Sequence, residues 1–554
     1  MKSRIKWIAA STVILLLAGC NPAPKYAKPP VQTPAAFKEV PAEFKEGTGW
    51  KLAQPGDDHL GAKWWQMYKD PQLNALEEQV KISNQSIAAS EANFRAARAL
   101  VISIRSAMAP TMTVSPSYTN SRFSSTAKGT RAVVPGGTGA ESGTGSTQTG
   151  TAVGGSSTTG VFNNWSFPAD ISYTLDFWHK IRNTVAVNAF NAQASAADVA
   201  TALVSTEAEL AQDYFQVRAI DAQRRILENT VANYAQALEL TKTLFKAGID
   251  SDEEVAQAQT QLDTTAAQMT DLGVARATYE HAMATLIGKP AAEFALPVAE
   301  FVPNPPAAPV AVPSVLLERR PDIAAAERRV AAANAQIGVV RAAYYPDITL
   351  GGSGGFQTST FSQWFTWPSR FWSIGPTVSE QIFDAGVRRA ESEQARAQYE
   401  GTVATYRQTV LTAFQAVEDE LSSLRILSQE IEQEHTAVNA ANHYLDLATT
   451  RFRTGVDSYL NVITAQNSVL SAREAEVQIQ LRQMTASVAL MMALGGGWDT
   501  SQLPQGKQLS GKHPATQITE PPKGVQPVAV PNPPPLSTNS AVSGVPVAST
   551  TAER

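Results

Sequence analysis

A long stretch without glycine or proline, residues 181–247, most constrains how this chain can fold. Its apolar side chains recur at alternating steps of three and four residues, which is the heptad pattern of a helix packed along one seam. About 66 residues at 1.5 Å per residue predict a helix roughly 100 Å long, several times the ordinary length. A helix of this length does not fit within an ordinary compact globular domain.

The stretch ends in a short motif that recurs once. Residues 245–251 read Phe-Lys-Ala-Gly-Ile-Asp-Ser, and residues 452–458 read Phe-Arg-Thr-Gly-Val-Asp-Ser at the end of a second heptad run. Gly248 and Gly455 are of the type that takes the left-handed conformation at a helix C-terminus, and the Asp and Ser that follow suit the N-cap of a next helix. The sequence therefore predicts a long antiparallel helical hairpin, present twice.

Two shorter helices accompany the first long one. An opening helix of about 38 residues is expected to end near Pro110, and a returning helix of about 37 residues closes at Gly288. Together they roughly match the length of the long helix, so we expect them to stack end to end beside it. The same pattern recurs later at spacings between about 206 and 236 residues, which indicates a tandem duplication.

Alternating segments precede each long helix. Residues 165–177 alternate apolar and polar side chains, which predicts a strand long enough to cross a membrane at a tilt; residues 111–122 are strand-like but contain Pro116. Each chain then supplies four strands, whereas the smallest closed barrel has about eight. Other copies must complete the barrel, and spacing alone allows two copies or three.

The N-terminus carries an export signal. Three basic residues precede an apolar stretch, residues 7–18, that is too short to cross a bilayer. The only cysteine, Cys20, follows in Leu-Ala-Gly-Cys, which resembles a bacterial lipobox, so we expect cleavage before Cys20 and acylation, for example with palmitate; a buried apolar cysteine is the alternative. By analogy with bacterial lipoproteins, Asn21 at the position after the cysteine favours sorting to the outer membrane.

These observations divide the chain into consecutive segments. They are a signal peptide (1–19), a lipid-anchored extended segment (20–62), a first repeat (63–288) with a Gly/Ser/Thr-rich loop (123–160), a Pro-rich linker (289–318), a second repeat (319–495) and a disordered tail (496–554). The fold class is mainly α, with a transmembrane β-barrel contribution.

Composition excludes several functions. A net charge of −5 without a basic block argues against nucleic acid as a partner. The six histidines match no metal-ligand spacing, and no phosphate loop or nucleophile motif is present. We therefore expect no catalysis, no metal and no cofactor.

The chain resembles the outer-membrane factor family, the TolC-like exit channels, and within it the NodT-type lipoprotein branch. The motifs that carry this resemblance are Trp64-Trp65 with Asp70-Pro71, Arg319-Arg320-Pro321-Asp322, Tyr345-Pro346, Ile382-Phe383-Asp384-Ala385-Gly386 and the two tip glycines. The resemblance implies a homotrimer whose twelve-stranded barrel lies in outer-membrane lipid and continues into a periplasmic tunnel of helices. A periplasmic adaptor and an inner-membrane efflux pump, usually proton-driven, would dock at the tips.

Candidate site residues cluster at the two tips. Mixed charge beside the turns suits adaptor docking, although helix capping alone explains several of these residues. The docking candidates are Phe245, Lys246, Gly248, Asp250, Ser251, Arg451, Phe452, Arg453, Gly455, Asp457 and Ser458.

The gate candidates follow from the resemblance, because related channels carry acids six and nine residues after a tip glycine. Here those positions are Glu254, Gln257, Asn461 and Thr464. Only Glu254 is acidic, so we expect a gate held by Glu254, Asp250 and Asp457 with nearby basic residues.

Aromatic residues near the predicted strand ends fit an interfacial girdle, with a sugar-binding patch as the alternative. They are Trp165, Trp364, Phe365, Trp367 and Trp372.

The sequence predicts a passive exit channel of a tripartite efflux system, without a reaction of its own. One alternative is a periplasmic adaptor lipoprotein, which also carries a helical hairpin but normally only one, inserted in a β-rich domain. The other is a structural envelope lipoprotein. Conductance in planar bilayers and heat-modifiable trimers would separate the channel from both.

Overall fold

The computed structural model describes residues 21–34, 37–39, 63–122, 161–249, 251–306, 317–505 and 508–509. Its helices, in chain order, are α1 (Pro71–Ser83), α2 (Gln85–Ser106), α3 (Lys180–Lys246), α4 (Asp252–Leu286), α5 (Pro321–Ala342), α6 (Val387–Arg453) and α7 (Tyr459–Ala493). Its strands are β1 (Thr111–Val114), β2 (Ser117–Arg122), β3 (Val161–Leu175), β4 (Asp347–Thr358) and β5 (Arg370–Ser379). Among these described residues, no helix has both the length and the apolar character that a membrane crossing requires.

The two predicted hairpins are confirmed. Helices α3 and α6 have 67 residues each, and the returning helices α4 and α7 have 35 residues each. The second hairpin repeats the first in length because the same heptad seam and the same glycine turn specify both.

The prediction of one opening helix of about 38 residues is wrong. The chain forms a short 3-10 helix (Trp64–Tyr68), then α1 and α2, with a break at Asn84, whose backbone is extended. The Asn84 side chain accepts a hydrogen bond from the Ile87 amide (3.0 Å) and donates one to the Leu286 carbonyl (2.7 Å). Asn84 thus caps α2 and binds the end of α4, so the break is a joint between helices.

The joint confirms that the shorter helices stack. Gly288 ends α4 with a φ of +68°, and a Cβ on it would lie 2.1 Å from the Ser83 carbonyl oxygen. The second repeat is built alike: a Cβ on Gly495 would lie 2.1 Å from the Arg319 carbonyl oxygen, and Arg320 donates to the Ala493 carbonyl (2.8 Å). Each stacked pair, α2 with α4 and α5 with α7, packs along its own hairpin's long helix.

The strands form one antiparallel sheet. β3 pairs with β1 and β2 on one side and with β4 on the other, and β4 pairs with β5. β1 and β2 keep a single register on β3, and the interruption falls at Ser115 and Pro116, because proline has no N–H to donate. Within the described residues, the sheet therefore has four strand positions, as predicted, and both of its outer edges are unpaired.

The strand β3 begins and ends earlier than the predicted 165–177. It ends at Leu175 because the Asp176 carboxylate accepts hydrogen bonds from the Ile181 amide (2.9 Å) and the Arg182 amide (3.0 Å). Asp176 therefore caps α3 and does not continue the alternation.

Helices and strands follow the same lateral order. α2 leads into β1, β3 into α3, α5 into β4 and β5 into α6, and α2, α3, α5 and α6 pack in that order. One edge of the whole layer thus consists of α2 and β1, and the opposite edge consists of β5 and α6.

The main apolar core lies where the two repeats meet, along the middle of the long helices. It contains fully buried Trp64, Tyr214, Tyr406 and Met484. The 289–318 linker is held against this region where described: Arg276 donates to the Leu296 carbonyl (2.6 Å) and Arg218 to the Pro297 carbonyl (2.8 Å).

The structure corrects the predicted start of the tail at residue 496. Trp498 is buried against Ala197 and Ala325, and Leu509 is buried against Val101 and Ala192. Trp498 and Leu509 therefore attach residues 496–505 and 508–509 to the helices through these apolar contacts. The remainder of the tail, the signal peptide, Cys20 and the 123–160 loop lie outside the described residues.

Candidate functional site

The two hairpin tips have the same backbone geometry. Gly248 and Gly455 adopt φ values of +76° and +73°. In each tip the glycine amide donates to a phenylalanine carbonyl, from Gly248 to Phe245 and from Gly455 to Phe452, both at 2.9 Å. The next amide donates five residues back, which completes a Schellman turn and satisfies the end of the helix.

The helices that leave the tips are capped differently. The Ser251 hydroxyl accepts from the Glu254 amide at 3.4 Å, which is the serine half of the expected capping box. The Ser458 side chain makes no such bond, and the Asn461 amide donates to the Ser458 carbonyl instead (3.3 Å). Asp250, the remaining predicted residue of the first tip, lies outside the described residues.

The second tip holds an ion pair. Arg451 Nε lies 2.8 Å from Asp457 Oδ2, whereas Lys246 and Arg453 are exposed. In the described part of a single chain, Glu254 joins no ion pair, so the structure does not gather Glu254 and Asp457 into one network. Gln257 donates to Glu253 (3.4 Å), and Thr464 bonds its own helix at the Leu460 carbonyl (2.9 Å).

A second apolar cluster, which sequence reasoning missed, joins the two hairpins near their tips. Tyr459 is buried against Leu238, Ala258 and Val462, and its ring lies 5.4 Å from that of Phe452. The sequence did contain a signal for this cluster. The residue after the N-cap is Asp252 in the first repeat but the aromatic Tyr459 in the second.

A polar contact crosses between the hairpins close to this cluster. Tyr234 on α3 donates to Asn467 Oδ1 on α7 (3.2 Å), and Gln261 on α4 donates to the same oxygen (2.8 Å). Tyr234 is almost fully buried, whereas Asn467 is exposed, so the Tyr234 bond is partly shielded from water and the Gln261 bond lies at the surface; together they link the two hairpins.

The sheet has two chemically distinct faces. Residues opposite one another in register share a face, as Phe167 does with Phe356 and Gly354 with Trp372. The first face carries Met112, Val114, Tyr118, Trp165, Phe167, Ile171, Tyr173, Leu350, Phe356, Trp372, Ile374 and Val378. The second face carries Thr111, Thr113, Ser117, Ser166, Asp170, Ser172, Thr349, Gly351, Ser353, Gly355, Gln357, Ser373 and Thr377.

The apolar face is uncovered over much of its area. Trp372 is 78% exposed and Ile374 is 70% exposed. An uncovered apolar face opposite a hydroxyl-rich face matches a strand wall between lipid and an aqueous lumen.

Aromatic side chains gather at both ends of the sheet. At the far end, Trp165 contacts Phe361 (4.9 Å) and Trp364 (5.1 Å), and the Arg370 guanidinium lies 3.4 Å from the centre of the Trp367 ring. At the helix end, Trp178 stacks on Tyr345 (4.6 Å). The sequence analysis named Trp165, Trp364 and Trp367 of the first group; it missed the Trp178–Tyr345 pair, because both residues lie in turns outside the strand pattern.

The described N-terminal segment begins at the helix end of the sheet. The Asn21 side chain accepts from Asn183, in the first turn of α3 (3.1 Å), and the Pro24 carbonyl accepts from Asn334 on α5 (2.9 Å). Gly338 leaves room for Ala23, since a Cβ there would lie 2.4 Å from the Ala23 side chain. Asn21 is therefore held at the first turn of α3, where its contact Asn183 lies five residues after Trp178.

Two buried carboxyl groups lie near the main core. Glu77 is fully buried, and neither of its carboxylate oxygens has a partner among the described residues. Glu207 is nearly buried and accepts from Trp64 Nε1 (3.3 Å). Burial raises the pKa of both carboxyl groups, and the charge of Glu207 raises that of Glu77 further.

Comparison with known proteins identifies the family. The family model described as "Outer membrane efflux protein" matches residues 76–289 and 312–496. The chain is 28% identical over 494 residues to the probable efflux pump outer membrane protein TtgC of Pseudomonas putida, covering 89% of this chain and 95% of TtgC. It is 29% identical over 504 residues to the pyoverdine export outer membrane protein OpmQ of Pseudomonas aeruginosa, covering 90% of this chain and 98% of OpmQ.

Solved structures agree. The outer-membrane channel OprN superimposes with a TM-score of 0.74 at 27% identity, covering 86% of this chain and 100% of OprN. CusC superimposes with a TM-score of 0.70 at 24% identity, which supports the fold. With its two-faced sheet and its paired long hairpins, the chain belongs to the outer membrane efflux protein family and is an outer-membrane exit channel.

Proposed function

We propose that three copies of this chain form a passive conduit from the periplasm to the outside. The observation that carries this proposal is the two-faced sheet with two unpaired edges. A membrane strand cannot leave its edge groups unpaired in lipid, so β5 of one copy must pair with β1 of the next. The two edges suit each other because β1 and β5 run in opposite directions.

The lumen face favours three copies over two. A barrel of about eight strands has an interior that side chains just fill. The small residues Gly351, Ser353, Gly355 and Gly375 would leave such an interior poorly packed. Twelve strands leave a water-filled lumen, which these residues suit.

The hairpin tips are proposed to dock a periplasmic adaptor, through which the channel receives substrate from an inner-membrane efflux pump, usually proton-driven. Ile249 and Val456 project from the tips and are largely exposed beside Lys246 and the Arg451–Asp457 pair. Exposed apolar residues amid mixed charge are typical of a protein interface. The relatives' names point to toluene, antibiotics and pyoverdine as exported compounds, so small organic molecules are the proposed cargo class.

The membrane anchor is proposed at Cys20. Asn21 is held against Asn183 in the first turn of α3, at the helix end of the sheet, which supports an acyl chain on the preceding residue entering the periplasmic leaflet. A Cys20→Ser variant tests this proposal, with loss of labelling by radioactive palmitate as the expected result.

Reconstitution tests the conduit itself. Purified protein is expected to run as a heat-modifiable trimer and to give discrete conductance steps in planar bilayers, and deletion of the gene is expected to sensitise cells to toxic organic compounds. A monomer without conductance would instead support an adaptor or a structural envelope lipoprotein.

A further inference from the structure

The loop between β5 and α6, residues 380–386, is held rigidly by charged groups. The Asp384 carboxylate accepts from the Gly386 amide (3.0 Å) and pairs with Arg388 Nε (2.5 Å), and Arg388 also reaches Glu380 (3.3 Å). Gly386 adopts a φ of +93°, which glycine accommodates easily. These contacts fix the turn that leads from β5 into α6.

This rigid loop presents two apolar side chains to solvent. Ile382 is 92% exposed and Phe383 is 84% exposed. Ile382 is the most exposed large apolar side chain in the described part of the chain. A fixed loop that holds such a pair outward is typical of a surface that another molecule covers.

The position of the pair indicates which molecule covers it. Residues 380–386 connect β5 and α6, the two elements that form one open edge of the layer. The opposite edge consists of α2 and β1, and it also exposes apolar side chains where α2 leads into β1, namely Leu100, Ile102 and Met112. β5 ends and β1 begins at the same end of the sheet, so edge-to-edge closure brings residues 380–386 against residues 100–112 of the next copy.

We infer that the Ile382–Phe383 pair packs on the end of α2 and the start of β1 of a second copy of this chain. This inference rests on the proposed trimer and adds a specific contact to it. The contact continues the strand interface into the helical layer, at the point where the barrel passes into the tunnel.

Photocrosslinking tests the contact directly. With p-benzoylphenylalanine in place of Phe383, irradiation of the purified full-length protein is expected to give covalent dimers and trimers whose linked peptide contains residues 100–112. The same probe in place of Phe361, which is exposed at the other end of the sheet, is expected to give no adduct with that peptide. An intact trimer whose residue 383 adducts are absent or are formed with lipid would overturn the inference and leave the trimer standing.

A stability measurement supplies an independent readout. The Ile382→Ser/Phe383→Ser double variant is expected to lower the temperature at which the trimer dissociates in detergent by roughly 5 °C or more. Phe361→Ser, which removes an equally apolar side chain from the opposite end, is expected to leave it unchanged. An unchanged dissociation temperature in the double variant would contradict the contact, whereas a wild-type protein that is monomeric throughout would contradict the proposed function.

Discussion

The Glu77 carboxyl group is buried without a hydrogen-bond partner among the described residues. Ionising a carboxyl group in such a place has a high free-energy cost. The raised pKa means that the folded protein holds this proton more tightly than the unfolded chain does. Stability is therefore fully present below the ordinary carboxyl pKa and is lost as the pH rises towards the folded value.

We expect Glu77→Gln to flatten this pH dependence. The variant should match the wild type near pH 4 and exceed it by several kcal/mol near pH 8, since burial raises the pKa of Glu77 to about 10 and one pKa unit corresponds to about 1.4 kcal/mol. Thermal unfolding across this range measures the effect. Glu78→Gln is the matched control, because Glu78 is exposed and pairs with Lys63 (2.6 Å) on the surface. A wild-type stability that rises from pH 5 to pH 8 would contradict the assignment.

The tip acids allow a second prediction at this scale. Asp457→Asn should weaken the contact with Arg451 (2.8 Å) and loosen the second tip, while Glu254→Gln removes the one acid at the predicted gate positions. The double variant is expected to raise single-channel conductance and to reduce block by divalent cations, because fewer carboxylates then face the mouth. Asp263→Asn, further along α4, serves as control. Unaltered conductance and unaltered divalent block would argue against a gate at these residues.

At the scale of the elements, the joints between stacked helices are the least tolerant places. Gly288 and Gly248 both adopt positive φ. A Cβ added to Gly288 would collide with the backbone carbonyl of Ser83, whereas a Cβ added to Gly248 would have no atom within 4 Å. The two glycines therefore separate the cost of backbone strain from the cost of a clash.

Gly248→Ala is expected to cost about 1 kcal/mol, from the left-handed backbone alone. Gly288→Ala is expected to cost at least about 3 kcal/mol, because α1 or α4 must move to relieve the contact with Ser83. Thermal unfolding of the two variants beside the wild type measures both. Equal losses would show that the joint can open without cost.

The long helices were predictable because heptad spacing and a glycine turn are local signals, and both hairpins have the expected extent. The break at Asn84 was not predictable from the sequence, because an asparagine inside a helical pattern becomes a cap only when a partner such as the Leu286 carbonyl is within reach. Burial of Tyr459 is of the same kind: the sequence shows an aromatic residue after a turn, and only the neighbouring hairpin supplies the cluster that buries it.

At the scale of the whole molecule, the strand alternation predicted the two faces of the sheet, but not the pairing of β3 with β4, which are far apart in sequence. The order of strands and helices places both open edges, β1 with α2 and β5 with α6, on opposite sides of one chain. A single chain therefore contains the wall of a channel and leaves its closure to other copies.

The orientation of this wall yields the last prediction. Ile374 and Ser373 are neighbours on β5 and point to opposite faces, Ile374 with Gly352 and Ser373 with Ser353. Ile374→Lys places a charge in lipid and is expected to cost roughly 2–4 kcal/mol, whereas Ser373→Lys places it in the aqueous lumen and is expected to be tolerated. The amount of folded, heat-modifiable protein in outer-membrane fractions measures the difference. Equal tolerance of the two lysines would mean that the apolar face does not meet lipid, and loss of the Ser373 variant alone would reverse the assignment of lumen and membrane.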